Sequence, residues 1–278
     1  MTKAPRDAQE PPPRPAGPSA LQLLTAIGSP IALAGALLFY FGWVRSQAQA
    51  TAFGADVSIF DMAPQDLVLR SVNILFFPIM LLLLAGLLAL RLEPWLRARP
   101  AAAALLSVSW LVLPVAIVLL LVVEPVGFNL LPLFAFVAIG GTAYGLLLRR
   151  YAAGDLRPPR LANVALVGTL LIGCVFWQTE RLARVGGTAL AEDLMRNPGA
   201  RLPEVALFSA VNMHIEAPGV VEESQGGPDG AFGYRYSGLY LLQRSGQKYF
   251  LITDGWLRDE GRLIVVSDAE TIRVEFGQ

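Results

Sequence analysis

Hydrophobic and polar positions separate along this chain into two regimes that change over near residue 178. Before that point, long apolar runs alternate with short polar breaks; after it, apolar and polar residues alternate in brief segments. Five runs of the first regime, at about residues 21–44, 71–90, 102–123, 129–148 and 161–177, contain no charged residue. The plainest, SVNILFFPIMLLLLAGLLAL from Ser71 to Leu90, stops at Arg91. A bilayer core of ~30 Å is crossed by roughly 20 apolar residues in a helix. In hydrocarbon every backbone amide has to be paired within the segment, so such runs fold as helices. The first regime therefore predicts a membrane α-helical bundle of five transmembrane helices over residues 21–177, in contact with the lipid bilayer.

The second regime predicts a different architecture. Residues 178–200 carry charges on one side and apolar residues on the other, which suits a linker helix leaving the membrane, with Gly186-Gly187 as its expected break. Strand-like alternation then marks residues 205–210, 212–217, 233–243, 248–253, 262–267 and 271–276, with turn signals at Ser245-Gly246 and Asp254-Gly255. Between 217 and 230 the chain is rich in Gly and Glu and reads as a loop. Residues 201–278 are thus expected to form a small antiparallel, mainly-β domain.

The breaks between runs add detail. Residues 1–20 form a polar, proline-rich tail (PPPRPAGP from Pro11 to Pro18) that cannot fold alone and reads as a disordered cytoplasmic leader; a polyproline ligand is the sharper alternative. Ala48-Gln49-Ala50 resembles a signal-peptide cleavage site, but the apolar run before it exceeds the 7–15 residues of a signal core, which predicts an uncleaved helix. Residues 45–70 form the longest loop of the first regime, and Pro64 with Asp66 predicts that the second helix begins near Pro64. The connection at 124–128 is short enough to force its flanking spans into an antiparallel hairpin.

Charge sets an orientation. With five spans, Lys3, Arg6, Arg14, Arg91, Arg97, Arg99, Arg149, Arg150, Arg157 and Arg160 fall on one side, and only Arg45 and Arg70 on the other. Cytoplasmic loops carry the Lys/Arg excess, so the amino terminus is expected inside a multi-pass cell-membrane protein and the β domain outside the cytoplasm. The Arg-, Ala-, Gly- and Pro-rich usage resembles that of GC-rich bacterial genomes, hence a bacterial envelope. Composition agrees: 54% of residues are hydrophobic and 16% charged, against about 25% charged in soluble domains. Lys+Arg and Asp+Glu balance at 22 each, which implies no nucleic-acid partner.

Candidate chemistry is sparse. One cysteine, Cys174, and one histidine, His214, cannot form an internal disulfide or a Cys/His zinc cluster. His214 falls in an expected strand and Cys174 reads as a packing residue. The spans hold no ionisable residue to relay protons, and Pro30, Pro78, Pro114 and Pro132 read as tolerated kinks. No catalytic motif is legible, so no catalytic residue and no cofactor is assigned. Asp56, Asp61, Asp66 and Glu124 share the outer side, yet helix starts and solvation explain them as well as a cation would, and no metal site is assigned. Tyr234, Tyr236 and Tyr240 share one parity, hence one strand face if no bulge intervenes, and are the candidate partner-binding residues. Gly141 and Gly145 have the spacing that lets helices approach closely, within the bundle or across a dimer. Asn73, Ser107, Ser109 and Thr169 read as hydrogen-bonding residues between helices. Together these features suggest a non-enzymatic membrane anchor that displays a β module for binding or sensing; the alternative is a permease or channel-like subunit, and an enzyme would need Asp61, Asp66 and Glu124 gathered beneath a cleft.

Overall fold

The computed structural model describes residues 20–122, 129–155, 157–225, 232–253 and 261–277, with the backbone alone for 20–29 and 119–122. The expected hairpin at 124–128, the Asp254-Gly255 turn and the leader lie outside the described residues. Two compact units divide the chain, Met1–Leu37 and Leu38–Gln278. Long helices come first and an antiparallel sheet follows.

The helices are α1 (Ala20–Ala52), α2 (Pro64–Arg97), α3 (Pro100–Ser107), α4 (Val112–Val122), α5 (Leu131–Ala152) and α6 (Leu161–Arg196). Four stretches among the described residues are long and apolar enough to cross a membrane: Pro64–Arg97, Pro100–Val118, Leu131–Ala152 and Leu161–Arg196. Proline opens α2, α3 and α5 within their first two positions, where its missing N–H costs nothing. α2 starts at Pro64, as its opening residues predict, and runs past Leu90 to Arg97, where Glu93 and Arg97 pair one turn apart. The span expected over 102–123 is interrupted by a 3₁₀ turn at Ser109–Leu111. Pro114, which cannot donate to the Trp110 carbonyl, removes one of the α-type bonds there.

The separate linker helix expected over 178–200 does not exist: α6 runs unbroken through it to Arg196. Gly186-Gly187 does not break the helix, because Gly187 is a contact. A Cβ on Gly187 would lie 2.4 Å from the Arg45 carbonyl oxygen of α1. At 1.5 Å per residue, the 36 residues of α6 reach about 54 Å, well beyond a hydrocarbon core. Its last turns therefore carry the chain directly to the sheet.

The strands are β1 (Glu204–Ser209), β2 (Val221–Ser224), β3 (Tyr234–Ser245), β4 (Lys248–Thr253), β5 (Ile264–Ser267) and β6 (Ile272–Phe276). Their order is β5-β4-β3-β1-β6, all antiparallel, with β2 added beside the first residues of β3. No strand forms at 212–217. Asn212 Oδ1 instead accepts the His214 backbone N–H at 2.7 Å, and His214 turns through φ +47°. This asparagine turn withdraws the segment from any ladder, and Val221–Ser224, within the expected loop, supplies the strand.

Both faces of the sheet are covered. On one face, Tyr240, Leu242 and Ile252 pack against Phe53 of the α1–α2 loop and Ala191, Leu194 and Met195 of α6. Beside them Phe250 packs against Phe60 with ring centroids 4.6 Å apart and the ring planes tilted by 33°. On the other face Leu207, Tyr236, Leu239, Tyr249, Leu251 and Val266 form a cluster, roofed by Met213 and Ile215 of the segment that did not become a strand and by Val220 beyond it.

Candidate functional site

The tyrosines assigned to partner binding do not share a face. The β1–β3 register shifts between the Val205–Leu239 and Leu207–Tyr236 pairs, a bulge that spans Gly238. Gly238 takes φ +78°, and a Cβ there would lie 2.1 Å from the Gly219 carbonyl oxygen. One extra residue reverses the alternation, so Tyr234 and Tyr236 pack on the loop-roofed face and Tyr240 on the helix side. Tyr236 is fully buried. Its hydroxyl accepts the Met213 N–H at 2.8 Å and donates to Asn212 Oδ1 at 3.1 Å. Burial raises its phenol above the usual range, against the Met213 hydrogen bond. Tyr240 lies over Gly199 and is half-buried.

Gly141 and Gly145 lie against residues of their own chain. A Cβ on Gly141 would meet Ser109 Oγ at 2.5 Å, and one on Gly145 the Ser107 backbone nitrogen at 2.3 Å. Ser109 Oγ also reaches the Ala138 carbonyl at 3.3 Å and Thr142 Oγ1 at 3.2 Å, so this glycine face receives the 3₁₀ interruption of the preceding helix. An open groove of about 920 Å³ flanks the neighbouring α5–α6 surface, walled by apolar side chains such as Leu147, Leu166 and Leu171.

The acids considered for a cation site take part instead in local turns and a helix start. Asp56 accepts the Ser58 N–H at 2.9 Å and the Gln47 side-chain amide at 3.2 Å, which holds its carboxyl below the ordinary range. Asp61 ends the 3₁₀ turn Val57–Phe60, which Asp56 opens, at φ +45°, and its carbonyl accepts Ser245 Oγ–H at 2.9 Å. Asp66 lies in the first turn of α2, and Glu124 is outside the described residues. No group of three His, Cys, Asp or Glu side chains among the described residues is placed to hold a metal ion.

The arrangement with most chemistry was not marked in the sequence as a site. Where α1, α2 and α6 meet the sheet lies a partly open cavity of about 60 Å³. Ser46, Gln49, Arg70 and Gln243 line one side; Phe53 and Phe60 are among its apolar walls. Arg70 Nη2 donates to Gln243 Oε1 at 2.8 Å and Nη1 to Gln49 Oε1 at 3.4 Å, joining α2 to both α1 and the sheet. Arg45 Nη1 donates to the Arg70 carbonyl at 2.9 Å. Among the described residues neither guanidinium forms an ion pair; Asp66, one turn before Arg70, is exposed and acts only at a distance. Ser46 is 1% exposed and its hydroxyl has no partner.

Close helix crossings hold this junction in place. A Cβ on Gly42 would fall 1.8 Å from the Leu67 carbonyl oxygen, so only glycine lets α1 and α2 cross there, and Gly187 does the same for α1 and α6. Sequence reasoning noticed Arg45 and Arg70 only as exceptions to the charge asymmetry. Ser46, Gln49 and Gln243 gave no signal, since a cavity wall assembled from three distant segments has no local pattern. No family model matches the chain, nor does any curated protein or solved structure.

Proposed function

We propose that the protein is a five-span envelope protein, amino terminus inside, whose helices display the β module outside the cytoplasmic membrane for binding or sensing rather than catalysis. The observation that carries this reading is the contrast in exposure along α2. Phe76, Phe77, Leu83 and Leu84 are each more than 60% exposed, a surface that water would penalise and lipid accepts. At its outer end the same helix is bonded to the sheet through Arg70 and Gln243. The module is therefore seated on the helix ends at fixed attitude, as a display platform requires. With Tyr236 enclosed and the Gly141–Gly145 face filled from within, a protein partner would meet exposed side chains such as Val211, Val221 and Phe276.

The experiment is a membrane-impermeant thiol label on Gln225→Cys in intact cells, with Cys174→Ser as background. Labelling without lysis is the expected result; labelling only after lysis places the module in the cytosol and overturns the orientation. Cross-linking in intact membranes tests the partner: a chain that never forms a cross-linked complex would remove the display role.

A further inference from the structure

The cavity at the helix–sheet junction is lined on its polar side by donors whose acceptors are already used. Gln49 and Gln243 both turn their amide oxygens to Arg70, and their amide N–H groups donate to nothing among the described residues. Two of the five N–H groups of Arg70 are engaged in these bonds, leaving the rest of the fork available. The Ser46 hydroxyl is buried and unpartnered, although a helical serine ordinarily bonds back to the preceding turn. A buried donor without an acceptor costs about 1–3 kcal/mol, a cost that falls on the Ser46 hydroxyl, while the half-buried Gln49 and Gln243 amides and the half-buried Arg70 guanidinium are donors with unused capacity beside it. An anion with two acceptor oxygens would take up all of these donors at once.

The rest of the wall narrows the class. Phe53, Phe60 and Leu194 face the same space, so half of the surroundings would desolvate a polyanion without compensating it. The volume of about 60 Å³ admits about four or five water-sized groups, the size of acetate or propionate. We propose that this cavity is a binding site for a small monocarboxylate. The carboxylate lies against Arg70 with Ser46 and the two glutamine amides as further donors, and the short alkyl group lies against the phenylalanines. An oxyanion such as phosphate has the acceptors but no apolar end, and a long fatty acid overfills the space. The site is independent of which side of a bilayer the sheet faces, and so does not rest on the orientation proposed above.

The test uses the full chain in lipid nanodiscs, titrated calorimetrically at constant ionic strength and pH 7. Acetate and propionate are expected to saturate a single site, while acetamide, propionamide, phosphate and octanoate do not. Arg70→Gln is expected to weaken propionate binding at least ~10-fold, as loss of a charge-assisted pair does. Should that variant not assemble, Ser46→Ala, which removes one donor without touching the helix contacts, is expected to weaken it several-fold. Saturation by neither carboxylate overturns the proposal. Equal binding of propionamide overturns it too, since the charge would then have no part, as would wild-type affinity in Ser46→Ala together with Arg70→Lys. Saturation by phosphate but not propionate would make the site one for inorganic oxyanions and refute the monocarboxylate assignment.

Discussion

The two faces of the sheet are covered by different kinds of structure, and they end up with different chemistry. The outer face is roofed by irregular chain, residues 210–220, whose backbone bends to meet what it covers. There the Tyr236 hydroxyl finds both a donor and an acceptor. The inner face meets the ends of α1, α2 and α6, which are rods whose spacing is fixed by contact at Gly42 and Gly187. Rigid elements cannot relax into the last gap, and a cavity with an unpaired hydroxyl is what remains. A flexible roof seals a face; a rigid seat leaves a site.

The most damaging way to break this comparison is to remove the device that separates the faces. Gly238→Val places a β-branched residue at φ +78° and drives its Cβ into the Gly219 carbonyl. Backbone strain of ~1–3 kcal/mol adds to the displaced loop. We expect the amides of β1 and β3 to lose hydrogen-exchange protection together in the full-length protein in detergent, while α5 and α6 keep theirs. Retained protection in β3 would mean that the bulge is not what orders the two faces.

Tyr236→Phe is the next largest. It deletes one hydroxyl and strands the Met213 N–H, for an expected loss of about 1–2 kcal/mol in urea unfolding of the sheet. The same group gives an alkaline signature. Its folded pKa is raised, so its contribution is intact below the unfolded phenol value of about 10 and is lost as pH rises toward the folded one. Stability should fall more steeply above pH ~10 in the wild type than in Tyr236→Phe. Parallel curves would show that the phenol is not sealed.

Ser46→Ala is the counterpart on the other face. Its hydroxyl is buried and bonds to nothing, so without ligand its removal should not lower stability and should raise it by about 1 kcal/mol. A loss as large as that of Tyr236→Phe would mean the hydroxyl is satisfied and that the two faces do not differ.

The uneven legibility of this chain has the same origin. Helices were legible because bilayer length and the absence of charge are properties of one contiguous segment, and Pro64 marked its own helix start. Most strands were legible from local alternation. The failures were positions whose role is set by something distant in sequence. Gly187 reads as a breaker until α1 lies against it, and residues 212–217 read as a strand until Asn212 turns them. The tyrosine parity failed at Gly238, where the bulge exists because Gly219 is close. The cavity needed α1, α2, α6 and β3 together, and nothing short of the fold lists those neighbours.

The smallest expected effect tests whether the seat is as rigid as the comparison requires. Phe53, Phe60 and Met62 of the cavity wall belong to the loop after α1, and its 3₁₀ turn is held by Asp56. The Asp56 carboxylate receives the Ser58 N–H and the Gln47 amide, and Gln47 in turn accepts the Val57 N–H at 3.3 Å. Because these bonds lower its pKa in the folded state, their contribution is present above the ordinary value near 3.8 and is lost as pH falls below it. The group is fully exposed, so global stability should hardly respond. What should respond is exchange at the Ser58 amide, faster relative to its neighbours at pH 3 than at pH 6 in the wild type, and nearly pH-independent in that ratio in Asp56→Asn. If acid instead loosens β4 as well, the loop is a supporting strut of the sheet. The helix-side face would then owe its gap to a compliant loop and not to the rods beneath it.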